Sequence, residues 1–304
     1  MNTSHSKFPD FLIVGAAKSG TTSLHNYLSQ HPQVFLPKKM KETLFWHILS
    51  NPNRTQINYL RNYVDNLEDY LKIFSEADRS QVCGEVTPSY LYYHDYVINN
   101  LKLLHPNWRD IKIIIILREP VSKVVSHYHF VTNTLGIKDN SLEHALKLEK
   151  DRLKRNDVLL DLFYIDSAKY YNQVKAYKEN FNNCKVFLFD ELKNDPQKLL
   201  SELCEFLEVD SDFKFERLEK KYNPSKKRMV PKNEFINFLI RTQRKFPLIN
   251  KLKSKILPIE YLKRVYKEEE VSEKSKQNLK EIFREDVICL QELLEIDLKT
   301  LWGY

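Results

Sequence analysis

The chain predicts a three-layer α/β sandwich, a central and mostly parallel sheet with helices on both faces. Three observations predict it. Short apolar runs alternate with segments of helical spacing along the whole sequence. The clearest run, Lys112–Leu117 (Lys-Ile-Ile-Ile-Ile-Leu), shows no polar alternation, as expected of a strand buried on both faces. Phe11–Val14 leads through Gly15 into a glycine-bounded loop and the start of a helix, which is the architecture of a phosphate cradle.

Taken in order, Phe11–Val14 is a buried strand ended by glycine. Thr21–Gln30 suits a helix that stops at His31-Pro32, and Val34–Leu36 a short strand ahead of Pro37. Lys41–Leu49 mixes aromatic and polar residues, as a short helix or a loop would. Tyr59–Phe74 carries Leu60, Tyr63, Val64, Leu67, Leu71 and Phe74 at helical spacing. Gln81–Glu85 is a strand, after which Thr87-Pro88 starts a helix with proline in its first turn. Pro120 opens a helix that reaches Phe130. Ser167–Phe181 is helical, with Tyr170, Val174 and Tyr177 on one face, and Lys185–Phe189 is another buried strand. Asp195 caps a helix with Pro196 at its first position, running to about Leu207. Ser272 caps a last amphipathic helix that turns Leu279, Ile282, Phe283, Val287, Leu290, Leu293 and Leu294 inward. Ligands of parallel sheets lie at the carboxyl ends of the strands. The loops after Val14, Glu85 and Leu117 should therefore meet in one crevice.

Nothing in the 304 residues reads as a linker, a repeat or a low-complexity tract, so residues 1–304 are expected to form a single domain. The 42% hydrophobic content supports a real core, and 29% charged residues a well-solvated surface. A net charge of +7 favours anionic ligands, without the clustering of a nucleic-acid binder, so no nucleic-acid partner is expected. The cysteines at 83, 184, 204 and 289 show neither CxxC nor zinc-knuckle spacing. Cys184 reads as preceding a strand, Cys204 and Cys289 as apolar helical positions, and all as buried free thiols of a reducing compartment. The polar stretch Met1–Asp10 has no signal-peptide pattern and no apolar run is long enough to span a bilayer. These features predict a soluble, cytoplasmic protein. The oligomeric state stays open, and a homodimer is compatible with the sequence.

The loop itself carries chemistry. Gly15 and Gly20 have the spacing of a Walker A loop, but Thr21 and Thr22 stand where that motif requires Lys and Ser/Thr. The lysine lies inside the loop, at Lys18. Backbone amides and a helix N-terminus still suit an anion. The lysine that would reach a nucleotide's terminal phosphates is missing, which points away from ATP hydrolysis and toward another phosphate-bearing donor. A second signal follows the Lys112–Leu117 strand. There Arg118 stands where a P-loop NTPase would often carry an aspartate for magnesium. A guanidinium seeks a phosphate or carboxylate. Ser126, about two helical turns further on, would point back to the same anion. The plainer alternative is an Arg118–Glu119 ion pair and a routine helix serine.

Together these two segments resemble the nucleotide-binding signatures of sulfotransferases, enzymes that use 3′-phosphoadenosine-5′-phosphosulfate (PAPS) and release PAP. Glu85-Val-Thr-Pro-Ser-Tyr90 is similar to the Glu-Lys-Thr-Pro-x-Tyr segment of heparan-type glycan sulfotransferases. Ser167–Phe181, Lys185–Leu192, Asp195-Pro196 and the terminal Asp297–Trp302 resemble later family segments, so the likeness covers roughly residues 10–302. It implies a P-loop-NTPase-like sandwich and a set of roles. Ala17, Lys18, Ser19, Gly20, Thr21, Thr22 and Ser23 would hold the 5′-phosphosulfate, with Lys18 neutralising the bridging oxygen. Arg118 and Ser126 would bind the 3′-phosphate. Lys227 and Arg228, in Asn223–Arg228, would belong to a loop that closes over the nucleotide; the alternative there is a solvated basic turn. Glu42, in Lys41-Glu-Thr-Leu-Phe-Trp46, matches the carboxylate used as base by the glycan enzymes.

Beside lysines a carboxylate is a modest base unless partly buried, and Leu44, Phe45 and Trp46 would supply that burial. The alternatives are a surface Glu42 paired with Lys41 or Lys38, and Glu85 as a rival base at a strand end facing the same crevice. Val86 departs from the family pattern, since glycan members often have lysine there. More of the charge stabilisation would then fall to Lys18, with Lys39, Lys41 or Lys123 as compensating candidates. No metal is needed where lysine and amides supply the positive potential. His127 and His129, two apart on a helix, face different directions and read as crevice lining or surface rather than ligands. The acceptor expected is a saccharide or polar small molecule presenting a hydroxyl or amine, in a pocket drawn from residues 43–75, 127–166 and 225–265. Two other readings remain, a P-loop kinase or NTPase and a nucleotide-binding protein without activity.

Overall fold

The structure, a computed structural model, describes residues 7–50, 63–134, 141–155, 162–219, 229–231 and 266–304. In chain order the strands and helices are β1 (Phe11–Gly15), α1 (Thr21–Leu28), β2 (Val34–Phe35), α2 (Phe45–Ile48), α3 (Leu67–Lys72), β3 (Val82–Val86), α4 (His94–Leu104), β4 (Lys112–Leu117), α5 (Pro120–Thr134), α6 (Leu142–Arg155), α7 (Tyr171–Asn180), β5 (Asn183–Leu188), α8 (Phe189–Asn194), α9 (Pro196–Leu207), β6 (Met229–Pro231), β7 (Tyr266–Glu268), α10 (Glu273–Leu294) and α11 (Leu298–Trp302).

The first five strands pair in parallel in the order β2-β3-β1-β4-β5. Side chains alternate across each strand, so the uninterrupted apolar run of β4 supplies two cores at once. Ile113, Ile115 and Leu117 join one cluster with Leu12, Val14, Tyr90 and Phe283. Ile114 and Ile116 join the other with Phe11, Ile13, Leu24 and Leu203. This is the P-loop-NTPase-like α/β sandwich. The chain passes from β1 to the edge strand β2, returns to β3 beside β1 and then crosses to β4 on the other side, so the crevice beside the end of β1 lies at a topological switch point. The three expected loops meet there. Ala16 N–H donates to Ile116 O at 2.8 Å, Thr87 N–H to Ile13 O at 3.2 Å and Leu91 N–H to Val14 O at 2.7 Å.

Local signals set several elements as predicted. β4 has the predicted bounds. Asp195 accepts from Lys198 N–H ahead of Pro196, and Ser272 Oγ accepts from Ser275 N–H at the head of α10. Others were displaced by tertiary contacts. The Tyr59–Phe74 helix is confined, among described residues, to Leu67–Lys72, because Asn66 takes an extended conformation and caps Asp69 N–H. Residues 59–62 lie outside the described residues. Ahead of that cap, Val64 N–H bonds Thr43 O at 3.0 Å. The Ser167–Phe181 helix begins only at Tyr171, where the Asp286 carboxylate of α10 accepts from Tyr170 N–H and Tyr171 N–H. Thr87-Pro88 opens a single 3₁₀ turn, Pro88–Tyr90, rather than a long helix. Cys184 lies within β5, and Ile282 stands 46% exposed at the edge of the α10 stripe. β6 and β7 pair antiparallel as a two-stranded ribbon that the sequence did not announce.

Candidate active site

The cradle is built by β1 and α1. Gly20 sits at φ 99°, in the left-handed region, and a Cβ there would lie 2.8 Å from Leu192 Cδ2. Glycine is therefore required both by conformation and by the approach of α8. Lys18 also takes a left-handed conformation, at φ 67°. Such a backbone costs an ordinary residue roughly 1–2 kcal/mol and is characteristic of ligand loops. Gly20 caps α1 without a side chain, so the first amides of the helix are left to an anion. Ser19 Oγ and Tyr170 OH, both sealed from water, approach each other without completing a well-formed hydrogen bond. Two underused hydroxyls at an amide-rich loop fit a phosphate or sulfonate. Beyond its helical spacing, nothing in the sequence marks Tyr170 as a site residue.

Arg118 closes the other side. Its Nη1 donates to Lys18 O at 3.3 Å, and its guanidinium lies 5.0 Å from the Phe189 ring. Burial pushes its pKa down from the usual arginine value, yet arginine stays charged. The Glu119 carboxylate is engaged elsewhere. It accepts from Val121 N–H and Ser122 N–H, capping α5, and from Tyr304 OH at 2.8 Å. Ser126 lies on α5 with 3% exposure. Phe130 follows one turn later on the same face, and Lys18 Nζ sits 4.3 Å above its ring. That face of α5 therefore looks onto the loop.

Glu42 reaches the cradle through its neighbour. Lys41 Nζ donates to Thr22 Oγ1 at 3.0 Å and to Glu42 Oε1 at 3.2 Å. The Glu42 side chain is 28% exposed, so it is half-buried and open to an incoming molecule. Leu44, Phe45 and Trp46 are all buried and anchor the segment.

Glu85, the rival base, is completely sealed. Its Oε1 accepts from Thr43 Oγ1 at 2.5 Å, Thr87 Oγ1 at 2.6 Å and Tyr90 OH at 2.7 Å, and its Oε2 accepts from Tyr70 OH at 2.6 Å. Four donors meet the roughly four acceptor sites of a carboxylate. Burial pushes its pKa up, against the pull of those hydroxyls. Sealed from solvent, it ties together three chain segments, those of Thr43, of Tyr70 and of Glu85–Tyr90. Thr87 and Tyr90 lie in the same short segment as Glu85, but nothing in the sequence marks Thr43 or Tyr70 as its partners.

The remaining candidates disperse. Lys39 pairs with Glu76 on the surface. Lys123 is fully buried, donates to Ser167 Oγ and faces the buried Glu149. Val86 points into the core. His127 and His129 are both buried rather than on the surface, against Tyr164 and Tyr128 respectively. Lys227 and Arg228 lie outside the described residues, as do parts of the three acceptor-pocket ranges. The free cysteines are divided between buried Cys83 and Cys204 and half-buried Cys184 and Cys289. Burial pushes the Cys83 thiol up to about 11 and those of Cys184 and Cys204 to about 12, away from thiolate chemistry. Among the described residues no helix is long and apolar enough to cross a membrane.

Residues 8–285 match the sulfotransferase domain family. The membrane-associated sulfotransferase kil1 of Dictyostelium discoideum is 30% identical over 148 residues, 47% of this chain and 28% of that protein. The bifunctional heparan sulfate N-deacetylase/N-sulfotransferase 1 of Caenorhabditis elegans is 26% identical over 235 residues, 74% of this chain and 25% of that protein. The chain thus spans about a quarter of the length of these curated relatives. A solved sulfotransferase from Alicyclobacillus acidocaldarius shares the fold at a TM-score of 0.68 and 24% identity, covering 98% of this chain and 100% of that one.

Proposed function

Because the chain belongs to the sulfotransferase family, we propose that it transfers a sulfuryl group from PAPS to a hydroxyl or amine of a saccharide or polar small metabolite. The observation that carries this reading is the meeting of two anion-binding elements, the cradle and the Arg118 guanidinium, through the bond from Nη1 to Lys18 O. A loop with amides and a lysine suits the 5′ end of the donor. A separate arginine at its edge suits the 3′-phosphate that distinguishes PAPS from ATP. The Ser19 and Tyr170 hydroxyls, which make no well-formed bond to each other, fit the same anion.

In this reading Ala17–Ser23 hold the 5′-phosphosulfate through amides and hydroxyls, and Arg118 with Ser126 holds the 3′-phosphate. PAPS, when bound, supplies the sulfuryl group: the sulfur–oxygen bond to its phosphate breaks as a bond to the acceptor oxygen or nitrogen forms. Lys18 neutralises the negative charge that accumulates on the departing phosphate oxygen. Glu42 takes the proton from the acceptor, being the half-buried carboxylate tied to the cradle by Lys41. Glu85 is sealed and serves as a positioning residue. The heparan N-sulfotransferase named above supports a saccharide acceptor and nitrogen as one attacking atom.

The test is thermal stabilisation by PAP compared with ADP and with ATP plus magnesium. A ligand that binds only the folded chain raises its melting temperature. A shift with PAP well above that with ADP supports the reading. A shift with magnesium-ATP and none with PAP overturns it in favour of a kinase.

A further inference from the structure

We propose that Lys41 is a second cation of the transfer site, which binds the sulfonate oxygens of the donor. This rests on the PAPS reading above and adds a residue to it. The geometry is specific. In-line transfer requires the group in flight to lie between the donor cradle and the base. Lys41 Nζ occupies that interval, 3.0 Å from Thr22 Oγ1 of the cradle and 3.2 Å from Glu42 Oε1. An ammonium has three N–H donors, and among the described residues these two oxygens are its hydrogen-bond acceptors. One donor is left for a ligand oxygen. The side chain is 23% exposed, so its charge is less screened than that of a surface lysine.

The charge is felt nearby. His25, one turn along α1 from Thr22, has its pKa lowered by burial and then by Lys41. The other lysines considered for this task are held elsewhere, Lys39 by Glu76 and Lys123 by Ser167. The plainer account, in which Lys41 simply neutralises Glu42, explains one of its bonds and not the one to Thr22. A lysine that spans cradle and base also ties donor occupancy to the placement of the base.

The test uses the full chain and two probes that differ by the sulfonate, PAPS and PAP. Affinities of both are measured by calorimetry for the wild type, Lys41→Met and Lys41→Arg. Lys41→Met is expected to lose about ten- to a hundredfold in PAPS affinity, as for one charge-assisted contact. Its PAP affinity should stay within about twofold, since PAP lacks the group Lys41 is proposed to hold. Lys41→Arg should restore most of the PAPS affinity. A merely structural lysine would weaken both ligands together, and a surface ion pair would change neither; either result overturns the proposal. Failure of the parent reading looks different, because the wild type itself would then bind neither nucleotide.

Discussion

Thr43→Val keeps the shape of a fully buried side chain and removes one hydroxyl from the knot around Glu85. That hydroxyl donates to Glu85 Oε1 at 2.5 Å and accepts from Phe45 N–H at 3.2 Å. A hydrogen bond to a charged group contributes roughly 1.5–3 kcal/mol, and a buried N–H left without its acceptor costs roughly 1–3 kcal/mol. The expected loss is about 3 kcal/mol, toward the lower part of that combined range because α2 can shift to relieve Phe45. Thr43→Ser keeps the hydroxyl and deletes one buried methyl, at roughly 1 kcal/mol. The two variants should therefore differ by about 2 kcal/mol, the hydroxyl's share less that of the methyl. Denaturant unfolding with a common slope reads this difference directly. The functional arm follows from position, since Thr43 directly follows Glu42. Thr43→Val should lower kcat while PAP affinity holds, and Thr43→Ser should retain most turnover. Equal stability of the two variants within roughly 0.5 kcal/mol would refute the claim that Glu85 fastens this segment.

Glu42→Gln should reduce turnover by roughly 10²–10⁴-fold with PAP binding intact, as for loss of a general base; a parallel collapse of PAP affinity in calorimetry would make Glu42 structural instead. Arg118→Ala should weaken PAP by about tenfold or more while leaving ADP little changed, and equal losses for both nucleotides would remove Arg118 from the 3′-phosphate. Glu85 gives a pH prediction. Burial holds its folded pKa above the ordinary carboxylate value, so the folded chain keeps a proton that the unfolded chain has lost. Its contribution to stability is fully present below the unfolded value and is lost as pH rises through the folded one. Glu85→Gln stays neutral, so the gap in unfolding free energy between wild type and variant should move against the wild type as pH rises through this window. Parallel curves from urea unfolding across the acid-to-neutral range would contradict the raised pKa.

The parts of this chain that were legible early share one property, which is that their signal is local. β4 was readable because an unbroken Ile run has few homes other than a doubly covered strand. The heads of α9 and α10 were readable because a cap and the amide that donates to it lie within four residues. The cradle was readable because the spacing of Gly15 and Gly20 is set by the loop itself, and Arg118 because it ends an obvious strand. Where a partner comes from far along the chain, no local signal marks the element's bounds. α7 starts where Asp286, more than a hundred residues away, accepts its first amides. α3 is short because the residues ahead of Asn66 are drawn out to bond Thr43.

The division between the two carboxylates shows the same physics at the site. By itself the sequence placed Glu85 at the end of a strand bound for the crevice, and Glu42 stood out through the resemblance to the glycan sulfotransferases. It left both as bases, since the residue type is the same and acidity depends on surroundings. Only the tertiary structure gave them different surroundings. It gathered hydroxyls from Thr43, Tyr70, Thr87 and Tyr90 around Glu85 and shut out water, and it left Glu42 half-open beside Lys41 and Thr22. A carboxylate's chemistry is set by the donors and solvent it meets, and these come from chain segments that only folding brings together.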